Sequence, residues 1–326
     1  MRRREFISGL VGTAAAGPLL AGAMPVHAQT PNRVYRLGHL ANSPASETFT
    51  RGITLPELAK LGFVEGRNLV FDGRVGSSDA QPGLMRELLA AQPDAVIAMG
   101  PAAIVAAGAA TRTVPIVTFG FDPIELGLAA SYARPGSNVT GVVILASELD
   151  TKRLQVLQEA VAARRRVAAL FSSAAPASHE AALRKAAAGI GVELLVFTVA
   201  APADYPAAFA AMQASGAQAL LISATSQFHR DAKQLAALAL EARLPTVCEW
   251  AEMAHTGCLL GYGPNRAALR LRLAHQIAQI FRGVAPGDIA IERPTVFEFA
   301  INLKIAKALG LTVPPTLVAR ADEVIE

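Results

Sequence analysis

From residue 34 onward the chain alternates short, nearly uninterrupted apolar runs with longer stretches in which apolar positions recur every three to four residues. The first kind of run suits strands covered on both faces, and the second suits amphipathic helices. Strands are predicted at 34–40, 69–75, 95–99 and 115–119. Helices are predicted at 48–61, 82–91 and 102–110, with Gly62 closing the first of them. A turn-rich stretch, Arg134-Pro-Gly-Ser-Asn-Val-Thr-Gly141, then breaks the rhythm before an apolar run at 142–145. A second series begins near Val167, with strands at 167–171, 193–198, 219–223 and 246–250 and helices at 178–190, 203–215 and 228–242. Strands alternating with helices at this spacing predict βαβ units, and therefore two α/β halves built on parallel sheets. No residue-level repeat relates the halves.

Residues 1–28 obey a different pattern. A basic start, Met1-Arg-Arg-Arg-Glu-Phe-Ile7, leads into a weakly apolar Gly/Ala/Leu stretch and then Val26-His-Ala28. That arrangement predicts an export signal cleaved after Ala28. The paired arginines resemble a twin-arginine signal, which addresses folded chains. Glycines and Pro18 punctuate the apolar stretch, which argues against a spanning anchor. The expected location is the periplasm. Cleavage would leave 298 of the 326 residues, enough for two domains of ordinary size.

Composition narrows the chemistry. The chain is 52% hydrophobic but only 6% aromatic, which favours aliphatic α/β layers over an aromatic-rich β fold. Arg2, Arg3, Arg4 and Glu5 account for a net two of the formal four positive charges, so the mature chain is near +2. A value that small, with Arg164-Arg165-Arg166 as the longest basic run, gives no case for nucleic acid. Zinc needs more ligands than Cys248 and Cys258 supply. Those two cysteines fit either a bridge in an oxidising compartment or two buried thiols, and buried thiols are the expectation. No Gly-x-Ser-x-Gly elbow, dinucleotide glycine motif or phosphate loop occurs. Gly261-Tyr-Gly-Pro264 reads as a turn. His179, His229 and His255 are expected at the surface, and neither a catalytic residue, a metal site nor a cofactor is predicted.

Parallel sheets bind ligands in the loops after the carboxyl ends of their strands. Here those loops are 41–47, 76–79, 100–103 and 120–123, then 172–178, 224–227 and 249–252. Rich in hydroxyls, glycines and single carboxylates, they suit a small polar or zwitterionic solute. Ser43, Ser46, Ser178 and Asp79 serve equally well as caps of the helices that follow.

Several segments resemble the substrate-binding proteins of ABC importers of the tryptophan/tyrosine type. They are Leu61-Gly-Phe-Val-Glu-Gly-Arg-Asn-Leu69, Val114-Pro-Ile-Val117 before Asp122-Pro123, the 134–141 stretch, and the tail from Pro294-Thr-Val-Phe-Glu-Phe-Ala-Ile-Asn through Arg320-Ala-Asp-Glu-Val-Ile325. The resemblance implies a type I periplasmic-binding fold: two Rossmann-like lobes with parallel sheets and a three-segment hinge. Crossovers would fall near 139–145, 260–264 and 291–295. One lobe would comprise 31–142 plus 264–291, and the other 143–263 plus 292–326. Ligand contacts would come from Asn42, Ser43, Gly100, Pro101, Ala102, Phe121 and Asp122, and across the cleft from Ser172, Ser173, Thr225, Ser226, Glu249 and Trp250. Where the family usually places an Asp-Pro the chain reads Thr225-Ser226, so an amino acid and an organic carboxylate both stand as ligand classes. Asp122 or Glu249 would hold an ammonium group. The implied partner is an ABC permease of the inner membrane, and a monomer is expected. The rival functions are an exported α/β enzyme acting on a small carboxylate and a ligand-sensing partner of a membrane receptor.

Overall fold

The computed structural model describes residues 33–173 and 175–326, so the expected signal at 1–28 lies outside the described residues. Two sheets organise the rest. The first has five parallel strands in the order β2-β1-β3-β4-β5, where β1 is Tyr35–Ala41, β2 Leu69–Val75, β3 Ala95–Met99, β4 Ile116–Gly120 and β5 Val139–Val143. Every residue of β3, β4 and β5 is buried. Helices on both faces demand this, and it explains why these strands read as continuous apolar runs.

The second sheet has the order β12-β11-β10-β9-β8-β6-β7. Its strands are β6 Arg166–Ser172, β7 Glu193–Val199, β8 Ala219–Ile222, β9 Thr246–Cys248, β10 Leu260–Pro264, β11 Phe297–Asn302 and β12 Glu323–Ile325. All pairings are parallel except β10 with β11. The α/β class with two mostly parallel sheets therefore holds.

Three local expectations fail. The first helix starts at Pro44, four residues early, and passes through a π-helical segment, Thr50–Thr54, before ending at Lys60. The 15-residue helix Ala146–Ala160 was not foreseen, because the turn-rich stretch before it suggested a longer break. Gly261-Tyr-Gly-Pro264 is strand β10 rather than a turn. A Cβ on Gly263 would lie 2.0 Å from the Glu249 carbonyl oxygen, and one on Gly261 would lie 2.3 Å from that of Trp250. The glycines are there to let a strand pass against that backbone.

Cys248 and Cys258 form a disulfide with Cα atoms 6.4 Å apart, which overturns the expectation of two free thiols. The chain between them folds back so that Cys248 pairs in register with Gly261, which brings two positions ten residues apart into bridging range. After β10, Asn265 caps the helix Arg266–Phe281 by accepting from the Ala268 amide at 2.6 Å. That helix packs on the five-stranded sheet, against β3, β4 and β5, although the strand before it belongs to the other sheet. Among the described residues no helix is long and apolar enough to cross a membrane.

Candidate functional site

The strand ends of both sheets converge on three connected spaces. One is a chamber of about 70 Å³ lined by Ser43, Ser46, Gly100, Phe121, Thr225, Ser226, His229, Glu249, Trp250, Arg266 and Arg270, among others. A wide cleft of about 890 Å³ opens beside it and shares Phe121, Thr225 and Ser226 with it. Its walls are mostly apolar: Pro101, Ala102, Val105, Ala106 and Ala109 of the helix Pro101–Ala110 on one side, Ala175 and Pro176 on the other. A third recess of about 90 Å³ lies under Phe121 and holds Asp122, Glu125, Tyr132, Glu148 and His179.

Twelve of the thirteen residues expected to touch ligand therefore border one of these spaces, but not the same one. Ser43, Gly100, Glu249 and Trp250 line the chamber. Asn42, Pro101, Ala102 and Ser172 line the cleft, while Phe121, Thr225 and Ser226 face both. Asp122 sits in the third recess, where its carboxylate accepts from the Ile124 amide at 2.8 Å and from the Tyr132 hydroxyl. Burial and that bond push the Tyr132 phenol up to about 12. Ser173 is exposed and lines none of the three.

Local bonding separates caps from available groups. Thr225 caps the helix Ser226–Arg230, its hydroxyl accepting from the Gln227 amide at 3.0 Å and the Phe228 amide at 3.2 Å. Ser43 holds the same position before the helix Pro44–Phe49 yet makes no side-chain cap bond. A buried hydroxyl that declines its capping role is available to something else.

Glu249 is positioned from beneath. Arg153, fully buried on the helix Ala146–Ala160, pairs with buried Asp150 at 2.6 Å and donates to the Tyr262 carbonyl at 2.7 Å and the Glu249 carbonyl at 3.0 Å. This ties the segment after β9 to β10 and holds the Glu249 side chain against the chamber. Burial raises the Glu249 carboxyl to about 7, and nearby Arg153 and Arg266 offset only part of the effect.

Sequence reasoning missed the chamber's basic wall. Arg266 lies between aromatic rings, its guanidinium 3.9 Å from the Phe49 centroid and 5.0 Å from that of Trp250. Trp250, only 5% exposed, thus gives a ring face to Arg266. Arg266 also donates to Glu252 and, at 2.7 Å, to His229. Burial pushes Glu252 up, but His229 and Arg266 more than reverse that and bring it to about 2. One turn further along, Arg270 shares the same helix face. A signal was present: Arg266 opens a helix, where the macrodipole disfavours positive charge, and Arg270 follows one turn later. Such a placement needs a compensating role.

The histidine expectations hold only for His255, which is exposed and 2.8 Å from Glu323. His179 is buried, stacked on Phe121 with centroids 6.0 Å apart, and 3.7 Å from Glu125. His229 is half-buried against Arg266 because the loop after β8 folds inward. Among the described residues no group of three or more His, Cys, Asp or Glu could hold a metal ion.

Two mostly parallel sheets whose strand ends meet around a polar chamber constitute the type I periplasmic-binding fold. A family model for the ABC transporter substrate binding protein matches residues 40–325, and the chain belongs to that family. No curated protein matches its sequence significantly. Among solved structures, a conserved domain protein from Vibrio cholerae is 23% identical with a TM-score of 0.82, over 90% of this chain and 99% of that one. The ABC domain in complex with L-Trp from Streptococcus pneumonia is 20% identical with a TM-score of 0.82, over 90% and 100%. The ligand-free, open structure of a substrate binding protein with adhesive properties from Clostridium difficile is 19% identical with a TM-score of 0.67, over 90% and 99%.

Proposed function

We propose that this protein is the periplasmic solute-binding component of an ABC importer, and that it carries a small organic ligand in the chamber to a permease of the inner membrane. The observation that carries this reading is the chamber itself: hydroxyls, a carboxyl and guanidinium groups converge there from the strand ends of both sheets. Residues 31–142 plus 264–291 would move as one lobe, and 143–263 plus 292–326 as the other. Ligand touching both walls favours the closed arrangement by its differential affinity for it. Glu249 and the chamber hydroxyls suit an amino acid or an organic carboxylate, and the L-Trp bound to the streptococcal protein supports that range. The apolar cleft next door suits the body of such a ligand. The protein would act as a monomer, exported by the signal at 1–28, without turning its ligand over. A thermal-shift screen of amino acids and carboxylates tests the reading. The expected result is saturable stabilisation by at least one compound, about 2.7 kcal/mol at a hundredfold excess over Kd. Turnover of a bound compound would replace it with the enzyme reading, and a complete absence of hits would sink it.

A further inference from the structure

Arg270 carries a charge for which the described protein supplies no partner. Its side chain is 1% exposed, yet among the described residues no carboxylate lies within ion-pairing distance. Its Nη1 donates to the Thr50 hydroxyl at 2.8 Å and, more weakly, to the Ser46 carbonyl at 3.4 Å. Its buried Nε has no acceptor, and Nη2 makes no hydrogen bond among the described residues. The surroundings do nothing to neutralise it. The Phe119 ring lies 4.5 Å away and the Phe49 ring 5.8 Å. His39 is completely buried, without a hydrogen bond on either nitrogen, and held neutral by burial and by the adjacent arginines. Both arginines lie over two aromatic rings, but only Arg266 also has a carboxylate, Glu252, and an imidazole, His229.

A guanidinium in this state is a poor structural element. Burying it costs solvation that two polar contacts do not restore. Nη2, which has no hydrogen bond among the described residues, is left to donate to a carboxylate oxygen in the chamber that Arg270 lines. The same chamber presents the uncapped hydroxyl of Ser43. At about 70 Å³ it has room for on the order of five water-sized groups, enough for a charged head and a short stem. Anything larger continues past Phe121 and Ser226 into the apolar cleft.

We infer that Arg270 is the anion anchor of the binding site, and that the ligand is a monocarboxylate whose head pairs with its guanidinium and whose body lies toward the cleft. This rests on the reading that a solute binds in the chamber. The carboxylate can come from an amino acid or from an acid without an ammonium group, and Glu249 on the opposite wall separates the two.

The test is calorimetry and thermal shift on the purified protein with matched sets: phenylacetate, 4-methylpentanoate and benzoate, each beside its primary amide, plus phenylalanine and leucine. At least one acid should bind, with its amide at least 30-fold weaker. Arg270→Met should abolish that binding while leaving the Tm without ligand unchanged or raised, since it removes an unpaired buried charge. Arg270→Lys should restore part of the affinity. Glu249→Gln should weaken an amino acid at least tenfold and leave a simple acid unaffected. Equal binding of acid and amide, or full affinity in Arg270→Met, overturns the anion anchor while solute binding stands. A lowered Tm in Arg270→Met with unaltered affinity makes the residue structural and also overturns it. No binding by any compound overturns both readings.

Discussion

The chamber and the cleft share three residues and almost nothing else. The chamber is small and crowded with charge, and its wall residues are tied to the framework through Arg153, Glu252 and the Cys248–Cys258 bridge. The cleft is over ten times larger and mostly apolar, with one wall a helix of alanines and Val105, itself half exposed. Specificity by charge needs fixed geometry and low dielectric, which only the chamber has. Tolerance of different ligand bodies needs a surface without directional demands, which is what the cleft offers. For the proposed ligand, the difference suits recognition of a head group in one space and accommodation of a tail in the other.

Changes to the framework beneath the chamber should have the largest effect. Arg153→Met orphans buried Asp150 and releases both carbonyls, so it should cost about 3–5 kcal/mol of stability in urea denaturation. A cost under 1 kcal/mol would show that the wall does not depend on that ion pair. Next comes Glu249. Its carboxyl is raised from 4.5 to about 7 by burial, so it favours the folded chain below pH 4.5 and loses that contribution as pH rises to about 7. Without ligand, the protein should lose on the order of 3 kcal/mol between pH 4.5 and 8 from this group, and Glu249→Gln should lose correspondingly less. Matching pH profiles for the two proteins would place the carboxyl in water instead.

Reducing the bridge, or replacing both cysteines by serine, should cost roughly 2–3 kcal/mol for a loop of this length. It should weaken ligand binding as well, because the loop carries Glu249, Trp250 and Glu252. The smallest effect belongs to the cleft. Val105→Ser should change the affinity for a short ligand less than threefold and should lower it further as the apolar tail lengthens. A uniform loss for all ligands would erase the division between head and tail.

Much of the framework is legible in the sequence because burial on both faces leaves a plain signature. The strands Leu69–Val75 and Ala95–Met99 fall where the apolar runs put them. The ligand loops are legible as a set too, since they follow from strand polarity alone. What stayed hidden depends on contacts distant in sequence. Gly261 and Gly263 look like turn residues until the Glu249 and Trp250 carbonyls are seen against them. The bridge depends on how the 249–257 loop folds back, which ten residues of spacing do not disclose. The arginines at the start of the helix Arg266–Phe281 are a visible signal, but only the folded contacts show that Arg266 is paired with Glu252 and that Arg270 has no carboxylate beside it among the described residues.

The helix Arg266–Phe281 leaves a strand of one sheet and rests on the other, and its first two turns carry both chamber arginines. On the proposed reading, grip and release are set by one stretch of covalent chain. A change that strengthens the hold on ligand there would also alter the proposed joint between the lobes, so affinity and residence time are expected to drift together in variants of residues 265–270. A sensor built on this scaffold should be tuned at the cleft wall, where chemistry can be altered without touching the pivot.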